Sequence, residues 1–166
     1  DDFHYFLELI NLGTLLTLLI YYRKRIVEII RNVFKKHDYR LALNIIITCI
    51  PAGLAGILLG HLIEDSPVFS SLYTIAIAMA VVGIIMIIVD KLPKRSALKN
   101  ENHLTKPRAL AIGLAQVFAL IPGVSRSGST IGAGRLMGLN SKSSADYSFL
   151  VSIPLMAAVC AKTLFS

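Results

Sequence analysis

The chain has 166 residues, of which 55% are hydrophobic and only 16% are charged, against roughly 25% charged residues in an average soluble domain. This composition disfavours an intrinsically disordered chain, a coiled coil and a solvated enzyme domain, and two cysteines disfavour a disulfide scaffold. The net charge of +7 would suggest a nucleic-acid partner in a polar chain, but 13 of the 17 Lys and Arg fall in two short windows between apolar runs. That distribution is typical of a polytopic membrane protein, so the expected partner is the lipid bilayer and not nucleic acid.

Four apolar runs approach the length of about 20 residues that a helix needs to cross a bilayer. They cover residues 3–22, 41–63, 71–89 and 147–165. Pro51 and Pro154 lie inside the second and fourth runs, where we expect them to kink the helices. The sequence therefore predicts an all-α polytopic membrane protein in which residues 1–166 form a single integral membrane domain.

The basic residues predict how these spans are oriented. The link between the first two spans carries seven Lys and Arg, and the link that follows the third span carries six, whereas the link over 64–70 carries none. By the positive-inside rule both basic links are cytoplasmic and 64–70 is outside. Within 23–40, apolar residues also recur at helical spacing, which fits either an amphipathic helix on the inner leaflet or a helical extension of the first span.

Two further apolar stretches, 109–121 and 131–139, are too short to cross. The first has 13 residues, or about 20 Å of helix against a hydrocarbon core of about 30 Å. We therefore predict a re-entrant helical hairpin over about 109–139, with a polar tip at 122–130. Non-helical backbone is tolerated at membrane depth only where it is buried in protein or lines a cavity, so the tip is a candidate functional site.

The tip reads PGVSRSGST, a composition suited to binding phosphate. Arg126 offers a planar fork of donors that matches phosphate oxygens. Four hydroxyl residues add further donors and a candidate nucleophile: Ser125, Ser127, Ser129 and Thr130. The alternative is a polar surface loop whose Arg126 extends to water.

The backbone of the tip points to the same chemistry. Gly123 and Gly128 allow the chain to bend and to approach a ligand closely. A helix is predicted from Thr130 onward, so its free N–H groups and the positive end of its dipole would face an anion. Gln116, in the first short helix, is a candidate to hydrogen-bond the loop backbone.

The stretch PGVSRSGSTIGAGRLMG closely resembles the second signature of the bacitracin-resistance family, the undecaprenyl-diphosphate phosphatases. Four other stretches resemble family segments in the right order: FLELINLGTLLTLLIYYRKR, IPAGLAGILLGHLI, LTKPRALAIGLAQ and SADYSFLVSIPLMAA. The resemblance implies an enzyme of the bacterial inner membrane that removes the terminal phosphate of undecaprenyl diphosphate. Such enzymes recycle the lipid carrier for peptidoglycan synthesis and confer bacitracin resistance.

The resemblance also implies a fold and a set of site residues. The fold would contain two inverted repeats, each with a re-entrant hairpin, and an active site that opens to the outer face. On matching positions, Ser125, Arg126 and Thr130 would be catalytic, with Ser125 or a water molecule as nucleophile. The substrate-binding set would be Gly123, Ser127, Gly128, Ser129 and Gln116. A divalent cation, Mg²⁺ or Ca²⁺, would be the cofactor, and a homodimer is left open.

The sequence departs from the family pattern in one respect that bears on catalysis. The first signature, a glutamate-rich helix followed by a Ser-Ser-Thr-Gly-His loop, is absent, and so are the last two family helices. We therefore expect a central fragment that is inactive alone. The metal ligands are unknown; Glu8, with His4 and Asn11 on its helical face, is the candidate. The alternative to hydrolysis is a transporter or flippase for an anionic lipid or another phosphate-bearing substrate, since short paired helices are also a transporter feature.

Overall fold

The computed structural model describes residues 2–69, 71–91 and 98–164, and within these ranges the chain is helical with no strand. The helices are α1 (Asp2–Tyr21), α2 (Arg23–Lys36), α3 (Arg40–Glu64), α4 (Leu72–Lys91), α5 (Lys106–Val117), α6 (Arg126–Leu136) and α7 (Ser141–Leu164). Short 3-10 turns lie at Glu101–His103 and Phe118–Leu120. The predicted all-α class is confirmed. The side chains of residues 2–8, 64 and 162–164 are outside the described part.

Three helices in the described part are long and apolar enough to cross a membrane: Arg40–Ile63, Leu72–Lys91 and Ser141–Ala161. They coincide with three of the predicted runs. Helix α7 begins before residue 147, because the side chain of Asn140 accepts a hydrogen bond from Ser143 N (2.8 Å) and so caps the helix. In α1 the described apolar part is the shorter Leu9–Tyr21, so the span over 3–22 stays a prediction.

Helix α2 is separate from α1. The helix is interrupted at Tyr22, whose backbone departs from helical geometry (φ −89°, ψ 9°), although the hydrogen bonds from Tyr22 N to Leu18 O and from Ile26 N to Tyr22 O continue across it. Along α2, Val27, Ile30 and Phe34 are 52%, 50% and 76% exposed and form one apolar stripe. The exposed stripe favours the amphipathic helix over a helical extension of the first span, and its position on the inner leaflet stays a prediction.

The connections that the charge pattern assigns to one side do meet at one end of the molecule. Arg25 of α2 forms an ion pair with Glu101, which precedes α5 (2.6 Å). The hydroxyl of Tyr22 donates to Asp146 Oδ1 near the start of α7 (3.0 Å). These contacts join three segments that are far apart in sequence, and they agree with a common side for the basic links.

A buried polar network holds α3, α5 and α7 together. Thr48 Oγ1 lies 2.9 Å from the carbonyl oxygen of Ala109 and 2.7 Å from the hydroxyl of Tyr147. Tyr147 OH also donates to the carbonyl oxygen of Asn44 (2.8 Å). Next to this network a Cβ on Gly113 would lie only 2.7 Å from Thr48 O, so glycine permits the close approach of α5 to α3.

Candidate functional site

Helices α5 and α6 pack against each other and form the two arms of a hairpin. They have 12 and 11 residues, so each spans less than about 20 Å. The turn at Phe118–Leu120 and residues 121–125 join them. The two short helices of the predicted hairpin are therefore present, whereas most of the predicted polar tip, from Arg126 to Thr130, lies inside α6. The depth of the hairpin in a bilayer stays a prediction.

Helix α6 begins at Arg126, four residues before the predicted start at Thr130. Ser125 is the N-cap: its backbone is extended (φ −66°, ψ 120°), and its Oγ accepts a hydrogen bond from Gly128 N (3.1 Å). The prediction was wrong because serine and glycine are weak helix formers inside a helix, whereas a serine cap stabilises its first turn. Consequently, the N–H groups that start the helix are those of Arg126 and Ser127.

Glycines set the hairpin against α4. Gly123 has φ +92°, and a Cβ there would lie 2.5 Å from the carbonyl oxygen of Ile75 in the first turn of α4. A Cβ on Gly128 would lie 3.3 Å from Val82 Cγ1, and one on Gly132 would lie 3.5 Å from the sulfur of Met86. The tip of the hairpin is thus fixed beside the end of α4 that follows the 64–70 link.

The start of α6 has two different surroundings. Ser125, Ser127 and Gly128 line an open cavity of about 380 Å³ against Met79, Val82, Gly83 and Met86 of α4. In that cavity the hydroxyl oxygens of Ser125 and Ser127 are 3.3 Å apart. Arg126 instead lines a second open cavity, of about 400 Å³, with Asn11 of α1 and with Met156 and Val159 of α7. The structure therefore places Arg126 and the two serine hydroxyls on different sides of one helix end.

The other two predicted hydroxyls are hydrogen-bonded within the fold. Thr130 is only 2% exposed, and its Oγ1 lies 3.0 Å from the carbonyl oxygen of Arg126 and within hydrogen-bond distance of the Ser148 hydroxyl. Ser129 Oγ donates to the carbonyl oxygen of Ser125 (3.0 Å). Both side chains hold the first turn of α6, and Thr130 also joins it to α7. Ser148 was missed by the sequence reasoning, because a serine in an otherwise apolar run carries no signal of its partner.

Gln116 is 2% exposed, and its side-chain oxygen and nitrogen have no hydrogen-bond partner in the part of the chain that the structure describes. The predicted bond from Gln116 to the loop backbone is therefore not formed there. A buried amide without a hydrogen-bond partner lowers the stability of the fold by about 1–3 kcal/mol. Its role in substrate binding stays a prediction.

Among the described residues there is no cluster of three or more His, Cys, Asp or Glu side chains that could hold a metal ion. The side chains of Glu8 and His4, the predicted candidates, lie outside the described residues. Asn11, three residues after Glu8, does line the Arg126 cavity.

Comparison with known proteins gives a consistent result along the whole chain. The family model described as bacitracin resistance protein BacA matches residues 1–166. The chain is 36% identical over 157 residues to an undecaprenyl-diphosphatase of Methanococcus vannielii, covering 93% of this chain and 61% of the relative. It is 40% identical over 159 residues to undecaprenyl-diphosphatase 2 of Burkholderia thailandensis (92% and 57%) and 42% identical over 163 residues to the undecaprenyl-diphosphatase of Gemmatimonas aurantiaca (92% and 59%). The chain thus spans about three-fifths of the length of these curated relatives.

Proposed function

Because the chain belongs to the bacitracin resistance protein BacA family, we propose that the protein is a membrane phosphatase that hydrolyses undecaprenyl diphosphate to undecaprenyl phosphate and phosphate. The observation that carries the proposal is the start of α6, where a serine cap and an arginine follow a tight glycine turn. The names of the relatives support hydrolysis over the transporter or flippase alternative. The product would return to peptidoglycan synthesis, and this recycling would account for bacitracin resistance.

The start of α6 suits a diphosphate. The guanidinium of Arg126 binds two phosphate oxygens through parallel N–H donors. The first N–H groups of α6 and the positive end of its dipole add attraction for the same anion. In the reaction, the oxygen of water or of Ser125 attacks the terminal phosphorus, and the bond to the bridging oxygen breaks. Undecaprenyl phosphate leaves with that oxygen, and a phosphoserine, if formed, is then hydrolysed by water.

The Arg126 cavity has the mixed character that a lipid diphosphate requires. Asn11 is a polar wall beside Arg126, while Met156 and Val159 form an apolar wall on α7. The charged head would lie at Arg126 and the first prenyl units along the apolar wall. Ser125 is the preceding residue but lines the other cavity, so its attack on the phosphorus would require the substrate or the helix end to move.

The membrane location follows from the family and from the three apolar helices; the inner membrane and the full set of passes are parts of this proposal. A divalent cation would neutralise the diphosphate, with Glu8 as the candidate ligand from this chain. Thr130, Ser129 and the glycines act by holding the first turn of α6 in place. The homodimer stays a prediction.

The test is phosphate release from undecaprenyl diphosphate by the purified full-length protein. Arg126→Ala should lower the rate at least about 100-fold, the usual effect of removing one donor that stabilises the transition state. Arg31→Ala, on the exposed face of α2, is the matched control and should leave the rate unchanged. Absence of phosphate release from the wild type, together with movement of the intact lipid across a vesicle membrane, would establish the transporter alternative instead.

A further inference from the structure

A basic pocket lies at the other end of the molecule from the hairpin tip. Residues 37–40, between α2 and α3, form one wall, and residues 102–106, which lead into α5, form the other. Leu43 and Asn44 of α3 complete the lining, and the cavity has a volume of about 520 Å³. We refer to it as the basic pocket.

The charges of the basic pocket favour an anion. Arg40 and Lys106 are both exposed at its rim, and the imidazoles of His37 and His103 line it as well. The carboxylate in the lining, Asp38, already accepts a hydrogen bond from Arg40 N (3.2 Å). The imidazole rings are oriented by hydrogen bonds at Nδ1, to Tyr39 OH (3.1 Å) and to Asn100 Oδ1 (2.7 Å). Cationic groups therefore outnumber the carboxylate, and the rings are held in place.

The backbone adds to this charge. Helix α3 begins at Arg40 and α5 begins at Lys106, so the positive ends of two helix dipoles meet at the basic pocket. In neither helix does the N-cap side chain, Tyr39 or Thr105, form a capping hydrogen bond. The two helix ends therefore add to the attraction of the basic side chains for an anion.

The walls are held together before any ligand binds. Asn44, which is 2% exposed, donates from Nδ2 to the carbonyl oxygen of Leu104 (2.6 Å) and so joins α3 to the second wall. Arg25 of α2 binds Glu101 (2.6 Å) and Asn102 Oδ1 (2.9 Å), which fixes that wall to α2. A pocket built in this way loses little conformational entropy when a ligand binds.

The neighbouring helix indicates the source of the anion. The exposed stripe of Val27, Ile30 and Phe34 on α2 is suited to the boundary between headgroups and acyl chains, and α2 leads directly into the first wall. A helix α2 at that boundary would place the opening of the basic pocket at headgroup level, with the exposed Leu43 as apolar surface beside its basic groups. We propose that the basic pocket binds the phosphate of an anionic phospholipid in the leaflet on which α2 lies.

The experiment measures binding of short-chain phosphatidylglycerol to the purified full-length protein in neutral detergent. Each basic residue near a lipid headgroup contributes about fivefold to binding, so the double variant Arg40→Gln with Lys106→Gln should bind roughly 25-fold more weakly. The matched control is Arg31→Gln with Lys35→Gln, which removes the same charge from an exposed part of α2 outside the basic pocket. It should bind within about twofold of the wild type.

Further arms separate the sources of the anion and exclude loss of folding. Short-chain phosphatidylcholine should compete poorly, and inorganic phosphate at the same concentration should not displace phosphatidylglycerol. The swapped variant Arg40→Lys with Lys106→Arg keeps the charge and should keep binding. Equal loss in the pocket and control variants would mean diffuse surface charge and would overturn the proposal. Displacement by inorganic phosphate would assign the pocket to a soluble anion and overturn the lipid as its ligand.

Discussion

Arg126 is the first residue of α6, and its guanidinium carries parallel N–H donors. We expect this planar geometry, and not the positive charge alone, to be needed for binding the diphosphate. Arg126→Lys keeps the positive charge but replaces two parallel donors by a compact ammonium group, which cannot bind two phosphate oxygens in the same way. We expect phosphate release by the full-length protein to fall by about 10²-fold or more, with normal membrane insertion. Turnover near the wild-type rate would make Arg126 a structural residue and place the anion-binding group elsewhere.

Position 123 requires glycine because of its backbone conformation and because α4 lies close to it. With φ +92° and a hypothetical Cβ 2.5 Å from Ile75 O, Gly123→Ala combines an unfavourable backbone region with a clash. The backbone alone costs about 1–2 kcal/mol, so the total loss of stability should exceed that range. Gly60→Ala is the control, since nothing lies within 4 Å of a Cβ there, and it should be neutral or slightly stabilising. Thermal unfolding in detergent would compare them, and equal midpoints would contradict the close contact with α4.

At the scale of the elements, Thr48 connects three helices through one hydroxyl. It is fully buried, and its Oγ1 reaches the Asn44 and Ala109 carbonyls and the Tyr147 hydroxyl. Thr48→Val keeps the shape but removes the hydrogen bonds to the Ala109 carbonyl and the Tyr147 hydroxyl, so stability should fall by about 1–3 kcal/mol. The exposed Thr17, which donates to the Gly13 carbonyl of its own helix, is the matched control as Thr17→Val. Similar unfolding midpoints for both variants would show that the network does not hold α5 in place.

The orientation of the helices can be tested with thiol reagents that do not cross membranes. In a background of Cys49→Ala and Cys160→Ala, Ser125→Cys should react when the reagent is added outside, because Ser125 is exposed at the hairpin tip. Lys36→Cys, in the basic link, should react only from inside. The reverse pattern would overturn the orientation that the basic links predict.

For the molecule as a whole, features that depend on local sequence were predictable. The length and hydropathy of 41–63 and 71–89 identified α3 and α4, and the short runs around 122–130 identified the hairpin helices. The start of α6 was misplaced because a serine cap outweighed the poor helix propensity of the residues after it. The partners of Thr48 and Thr130 lie 61, 99 and 18 residues away along the chain, and a single apolar run contains no information on them.

The sequence could not predict that the tip residues line two separate cavities, because this also depends on contacts between distant parts of the chain. The predicted loop over 122–130 suggested that its polar side chains share one ligand. In the structure, Arg126 lies beside α1 and α7, while Ser125 and Ser127 lie beside α4. Which cavity receives the terminal phosphate depends on helices packed around the hairpin, and no local motif contains that information.

The 166-residue chain expressed alone is expected to release no phosphate from a prenyl diphosphate, even with added Mg²⁺ or Ca²⁺. It spans about three-fifths of the length of its curated relatives, and its described residues contain no cluster of three metal-ligand side chains. A cation bound to a diphosphate usually still needs one or two protein carboxylates to position it, and the described part does not bring such a pair to Arg126. The measurement is phosphate release beside the full-length protein, with circular dichroism to verify that the chain is helical. Appreciable turnover by the helical chain would show that its own residues complete the site, and Glu8 and His4 would then be the first candidates to replace.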